Sequence, residues 1–254
     1  MRRVIFNRKG GVGKSTITCN LAAMSAVNGK RTLVIDLDPQ CNTTQYLLGS
    51  NVGKHEKTLA NYFQGQLYFS IGEKDIAACA HKTSFDNLEI VPAHPELNDL
   101  ESKLESRYKM FKLKESLEKL EQYDCVYVDT PPAFNFFTRS ALIAANTCLI
   151  PFDCDDFSRR ALYTLLENVA EIKEDHNAEL SVEGIIVNQF QARAKLPKKL
   201  VQELIEEDLP VFKTYLSSSV KIRESHDRAM PMIYLDPRHK LSNEFQALYQ
   251  ELNP

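Results

Sequence analysis

Eight consecutive residues, Lys9-Gly10-Gly11-Val12-Gly13-Lys14-Ser15-Thr16, combine three glycines, two lysines and two hydroxyls. That combination suits the holding of a phosphate chain. Glycines leave room for successive backbone N–H groups to turn inward around phosphate oxygens. A short apolar run precedes the segment, and Ile17, Leu21 and Met24 space an amphipathic helix after it. A strand-to-helix turn of this kind aims the helix N-terminus, with its positive dipole end, at the same anion. Lys14 has the reach for β- and γ-phosphates, and the Ser15 hydroxyl is a ligand type for Mg²⁺. The strict Gly-x-x-x-x-Gly-Lys-Ser/Thr pattern asks for glycine at position 8, where Arg8 stands. The segment nonetheless predicts ATP and Mg²⁺ as cofactors.

Two further apolar runs end in carboxylates. Thr32-Leu33-Val34-Ile35 leads into Asp36-Leu37-Asp38-Pro39-Gln40, and Cys125-Val126-Tyr127-Val128 leads into Asp129-Thr130-Pro131-Pro132. In an open parallel sheet, ligands bind beyond the carboxyl ends of the strands, so these acids fall where the phosphates belong. Alternation along an extended strand puts Asp36 and Asp38 on one side. One then serves the metal and the other orients a water. Asp129 matches a Walker B carboxylate, which holds the Mg²⁺ shell, and the prolines after it break the strand. Ser15, Asp36 and Asp129 are the candidate metal residues. An Asp at a strand end also begins loops and caps helices.

Placing those groups requires a particular framework. Apolar runs at residues 4–6, 32–35, 88–91, 125–128, 147–150 and 184–187 read as buried strands. Leu113, Leu117 and Leu120, and later Leu162, Leu165, Leu166, Val169 and Ile172, keep one apolar face at helical spacing. Alternating strands and helices predict an α/β fold: a doubly wound, mostly parallel sheet with helices on both faces. Gly29 sits where a left-handed helix cap is expected. The stretch 49–86 has no clear period. No composition break appears, which predicts one domain over residues 1–254.

Composition narrows the function classes. At 43% hydrophobic and 26% charged residues, the 254-residue chain can bury a large core. A net charge of −3 rules out a polycation, so any nucleic-acid contact must come from a local patch. Six scattered cysteines form no Cys-x-x-Cys pair, which argues against zinc and redox motifs and suits a reducing cytosol. No run approaches the roughly 18 apolar residues of a membrane helix, so a cytoplasmic protein without membrane attachment is expected.

The phosphate segment resembles the deviant Walker A motif of the ParA/MinD ATPases, whose mark is the extra lysine at Lys9. Asp36-Leu37-Asp38-Pro39-Gln40 resembles their switch I, and Asp129-Thr130-Pro131-Pro132 their Walker B and switch II start. Leu149-Ile150-Pro151 and Leu235-Asp236-Pro237-Arg238 resemble the ParA branch, in its short Soj-type form. The likeness spans nearly the whole chain. It implies a P-loop NTPase-like domain in which Gly10, Gly11, Val12, Gly13, Lys14, Ser15 and Thr16 hold the nucleotide. It gives Lys9 a role in trans, across an ATP-sandwich homodimer. Asp38 positions the attacking water, making Lys9, Lys14 and Asp38 the catalytic set. Asn188 falls where relatives contact adenine. Two departures stand out: Cys41 follows Gln40 where glycine is usual, and Ser217-Ser218-Ser219 replaces a frequent Pro-Arg-Asn.

The resemblance also implies nonspecific double-stranded DNA and a ParB-like stimulating protein as partners, in a bacterial cytoplasm and on the nucleoid when ATP is bound. Arg193 and Lys221 match DNA-binding positions of relatives, with Arg223 as a neighbour. They lie in a cation-rich stretch that Glu203, Glu206, Glu207 and Asp208 interrupt. Such a run also fits an ordinary solvated helix face. A MinD-like membrane cycle is the alternative; it needs a basic amphipathic helix, whereas residues 243–252 carry acids and no Lys or Arg. An iron–sulfur carrier or an amidotransfer-type synthetase is a third reading; the carrier lacks its cysteine pair.

Overall fold

The computed structural model describes residues 1–49, 57–68, 72–154 and 158–253. The first strand, β1 (Arg2–Ile5), runs into the glycine-rich loop and then helix α1 (Lys14–Val27). After β2 (Thr32–Asp36) come α2 (Asn42–Leu48) and α3 (Leu59–Leu67). A two-residue strand β3 (His81–Lys82), β4 (Leu88–Val91), α4 (Leu97–Ser106) and α5 (Lys112–Leu117) follow. Next are β5 (Cys125–Asp129), α6 (Phe136–Ala144), β6 (Thr147–Asp153), α7 (Ser158–Asp175) and β7 (Ser181–Asn188). The described chain closes with α8 (Lys195–Glu206), α9 (Lys221–Asp227), α10 (Met232–Leu235) and α11 (Lys240–Leu252).

The strands form one seven-stranded sheet in the order β3-β4-β2-β5-β1-β6-β7. Every pairing is parallel except β3 with β4. Alternation along the strands divides the core. Val4, Leu33, Ile35, Val126 and Val128 face one buried cluster with α3, α4, α6 and α7. Ile5, Val34 and Tyr127 face the other, with α1, α10 and α11. Both sheet faces are therefore dry, as a doubly wound fold requires.

All six expected strands occur, with shifted limits: the first ends at Ile5 and the last extends over Ser181–Asn188. The helix expected around Leu113–Leu120 is only Lys112–Leu117. Gly29 caps α1 at φ 78°, with its N–H on Ala26 O (3.0 Å) and the Lys30 N–H on Ser25 O (3.0 Å). This is a left-handed C-terminal cap of the Schellman kind. The stretch without a period holds α3 and the edge strand β3. Two residues are too few to leave an alternation, so β3 had no sequence signal. Residues 50–56 and 69–71, in that same stretch, lie outside the described part.

Candidate functional site

Adjacent strand ends deliver the site. β5 lies between β1 and β2, and Asp36 pairs in register with Asp129. The loop from β1 crosses above these ends before entering α1. Gly13 is the helix N-cap at φ 89°. A Cβ there would also meet Asn188 Nδ2 at 2.4 Å, so only glycine fits on both counts. Asn7 anchors the start of the loop: its Oδ1 accepts from the Lys9 N–H (2.9 Å) and its Nδ2 donates to Pro151 O (2.6 Å). At the end of β7, Asn188 Nδ2 donates to Val12 O (2.8 Å), and just beyond the strand Gln189 Nε2 donates to Gly11 O (3.1 Å).

Two clefts flank this loop. One, of 460 Å³, is lined by Gly10, Lys14, Ser15, Asp38, Pro132 and His226, with Thr16 and two other glycines. The second, of 250 Å³, shares Gly11, Gly13 and Thr16 and adds Asn188, Ser217, Ser218, Ser219 and Arg223. One is rimmed by the N-terminal residues of α1, Lys14, Ser15 and Thr16; the other runs toward Asn188 at the end of β7.

Lys14 is nearly buried, and its Nζ donates to Lys9 O (3.3 Å). Burial lowers its pKa, while Asp129 and Asp38 pull it upward. The ammonium thus stands close to both carboxylates. Asp129 is fully buried; Oδ2 accepts from Thr43 Oγ1 (2.7 Å), and Oδ1 has no hydrogen-bond partner. Burial raises the pKa of Asp129, against the pull of Ser15, Thr43 and Lys14. A buried carboxylate oxygen left unmatched beside a serine hydroxyl fits a hard cation, which takes oxygen donors. Among the described residues no cluster of three or more His, Cys, Asp or Glu could hold a metal alone.

The structure corrects the expectation that strand alternation puts Asp36 and Asp38 on one side. β2 ends at Asp36, so strand alternation stops there. Asp36 Oδ1 accepts from the Asp38 N–H (3.0 Å) and Oδ2 from Thr44 N–H (2.8 Å) and Oγ1 (2.7 Å). Both oxygens brace the turn into α2, and desolvation with Asp129 nearby raises the pKa of this carboxyl. Asp38, not Asp36, lines the phosphate-side cleft.

The two sequence departures acquire physical meaning. Cys41 stands at φ 58° just before α2, a left-handed conformation that glycine adopts freely and other residues take at a cost of roughly 1–2 kcal/mol. Its buried thiol is pushed up to about 12 and is no nucleophile at neutral pH. Ser217, Ser218 and Ser219 line the second cleft.

Lys9 Nζ lies 3.6 Å from Asp153 Oδ2, at the end of β6. Arg193 is exposed in the turn before α8, and Arg223 is exposed on α9. A parallel bridge between Phe190 and Ser217 brings these two segments side by side. Lys221 pairs with Glu224 (2.8 Å), which also holds Arg228 (3.1 Å). Exposed pairs of this kind contribute little and are easily exchanged.

Sequence reasoning missed Thr43, Thr44 and His226. The two threonines follow the switch segment directly, and hydroxyls so close to strand-end acids are a readable signal. His226 is not: its Nε2 lies 3.0 Å from Thr16 Oγ1, 210 residues away.

Fold and loop together define a P-loop ATPase. Residues 3–182 match the family model described as "AAA domain". Over 251 residues the chain is 31% identical to the sporulation initiation inhibitor protein Soj of Bacillus subtilis, covering 98% of this chain and 96% of Soj. It is 32% identical over 252 residues to the chromosome partitioning protein ParA of Myxococcus xanthus, covering 98% and 86%. A structure of cobyrinic acid a,c-diamide synthase from Mycobacterium smegmatis, with bound ADP and magnesium, shares the fold at a TM-score of 0.84 and 22% identity, over 99% and 93% of the two chains. The chain belongs to the ParA/MinD family of deviant Walker A ATPases.

Proposed function

We propose that this chain is a ParA-type partition ATPase, working as one domain that binds ATP and Mg²⁺, dimerises around the nucleotide and then binds DNA without sequence preference. The observation that carries the reading is the convergence of Lys14, Ser15, Asp38 and Asp129 on one side of the phosphate loop, with Lys9 at its entrance. In the proposed arrangement the loop N–H groups and Lys14 hold the β- and γ-phosphates. Ser15 and Asp129 would hold Mg²⁺, which when bound neutralises charge on the phosphates. Asp38 orients the attacking water. Lys9 turns from Asp153 toward a partner's nucleotide, where a cation added in trans stabilises the transferring phosphoryl group as an arginine finger does. Hydrolysis, stimulated by a ParB-like protein on the cargo, returns the chain to a DNA-free state in a bacterial cytoplasm.

The arrangement of α11 favours this over a membrane cycle. Leu241, Phe245, Leu248 and Leu252 are buried in the core, and Glu244 and Glu251 accept from the Ser217, Lys213 and Thr214 N–H groups. Its apolar face is already occupied. No helix among the described residues is long and apolar enough to cross a membrane.

Sedimentation with Mg²⁺-ATP tests the dimer. Asp38→Ala should bind ATP, hydrolyse it at least about 10²-fold more slowly and remain dimeric. Lys9→Ala should bind ATP but stay monomeric with no stimulated turnover. Rapid hydrolysis by Asp38→Ala would remove Asp38 from the mechanism, and an ATP-dependent dimer of Lys9→Ala would remove the lysine from the interface.

A further inference from the structure

His226 reaches the phosphate-side cleft from α9, a helix that the phosphate-loop motif does not include. Its Nε2 lies 3.0 Å from Thr16 Oγ1, and its ring packs on Tyr46 of α2 with centroids 4.5 Å apart. The neighbouring Ser225 is buried; it shares a hydrogen bond with the Tyr46 hydroxyl and donates to Met230 O (2.6 Å). Asn20 of α1 donates to both Tyr46 Oη (3.1 Å) and Thr16 O (2.8 Å), and its Oδ1 accepts from the Met232 N–H (2.8 Å). Thr16 is thus held through its carbonyl by Asn20 and through its hydroxyl by His226, within a braced network joining α1, α2, α9 and α10.

We propose that His226 is a positioning residue for the nucleotide: by donating Nε2–H to Thr16 Oγ1, it turns the threonine proton toward a phosphate oxygen. The proposal rests on reading the cleft as a nucleotide site. A hydroxyl has one proton and two acceptor lone pairs. Beside an anion it must donate, so its remaining partner must donate to it. An imidazole that instead accepted through Nε2 would draw the proton away and leave a lone pair facing the phosphate. His226 is exposed on one side, and the desolvation of the ring side packed on Tyr46 and Thr16 holds its pKa below the usual value, against a smaller opposing pull from Asp227. At neutral pH the ring therefore carries a single proton, and the nitrogen that holds it decides the direction of the Thr16 hydroxyl. The same contact ties the nucleotide to α9, which also carries Lys221 and Arg223.

Calorimetric titration with Mg²⁺-ATP and Mg²⁺-ADP tests this on wild type, His226→Ala, His226→Gln, Thr16→Ala and the His226→Ala/Thr16→Ala double variant, alongside melting temperatures of the free proteins. His226→Ala should weaken nucleotide binding about tenfold, the scale of one hydrogen bond to a charged group. His226→Gln, whose side-chain amide can donate, should recover most of it. In the Thr16→Ala background His226→Ala should cost nothing further. A folded His226→Ala protein with wild-type affinity overturns the proposal, as does an equal loss in the Thr16→Ala background. A lower melting temperature with unchanged affinity would likewise reduce His226 to a brace and overturn it. Wild type that bound neither nucleotide would instead overturn the nucleotide reading, and the proposal with it.

Discussion

Lys14→Ala is expected to weaken ATP binding by at least about 10²-fold and to abolish turnover, while the free protein still folds. Removing one partner from a buried charge contact typically costs 3–5 kcal/mol, and 2.7 kcal/mol is already a hundredfold in affinity. The effect on folding is smaller because two changes oppose each other. The ammonium is desolvated without ligand, which disfavours the charge; it also offsets the nearby carboxylates of Asp129 and Asp38. Losing it relieves the first and exposes the second. Titration calorimetry and a thermal melt on the same preparation separate the two effects. A variant with near-native ATP affinity would mean that the phosphates do not lie at Lys14.

Asp129→Asn should produce the second large effect, with opposite signs for the free and liganded protein. Asp129 is buried with one oxygen unmatched, and burial holds its pKa above the ordinary carboxylate range. A raised folded-state pKa means that the ionised group opposes folding at neutral pH. That penalty is absent well below the unfolded value and grows as pH rises through the folded one. The neutral amide keeps an acceptor for Thr43 and removes the charge. The free variant should therefore melt no lower than wild type at pH 8, and its advantage should shrink as the pH is lowered toward 5. With ATP the order reverses. Wild-type affinity should fall when Mg²⁺ is chelated; the variant should bind ATP equally with and without Mg²⁺ and turn over at least about 10²-fold more slowly. Mg²⁺-dependent binding that survived the substitution would place the cation elsewhere.

How much of this was legible depended on the range of each interaction. The phosphate loop, the strand ends at Asp36 and Asp129 and the doubly wound sheet are local patterns. Each is set by a glycine run, an apolar run or a helical period, and each was readable. The different surroundings of Asp36 and Asp38 were not, because they depend on the strand stopping at Asp36 and on Thr44 reaching back to it. Asn188 was placed correctly at a strand end. Its amide on Val12 O and its fit against Gly13 come from the crossing of loop and β7, which no spacing records. His226 is the extreme case. Its contact with Thr16 joins residues 210 positions apart, so it has no signature in either segment. The left-handed Cys41 lies between these cases: the sequence marked it only as a departure from the glycine usual in relatives, and its φ of 58° shows a backbone position that suits glycine.

The central claim, nucleotide-gated DNA binding, is tested most directly by affinity for a nonspecific DNA duplex with Mg²⁺-ATP, with Mg²⁺-ADP and without nucleotide, across a salt series. The account predicts binding with ATP alone, a steep fall as salt rises because phosphate contacts release counterions, and loss of that binding in Arg193→Ala. Tight ATP binding without DNA affinity in any nucleotide state or salt would contradict it.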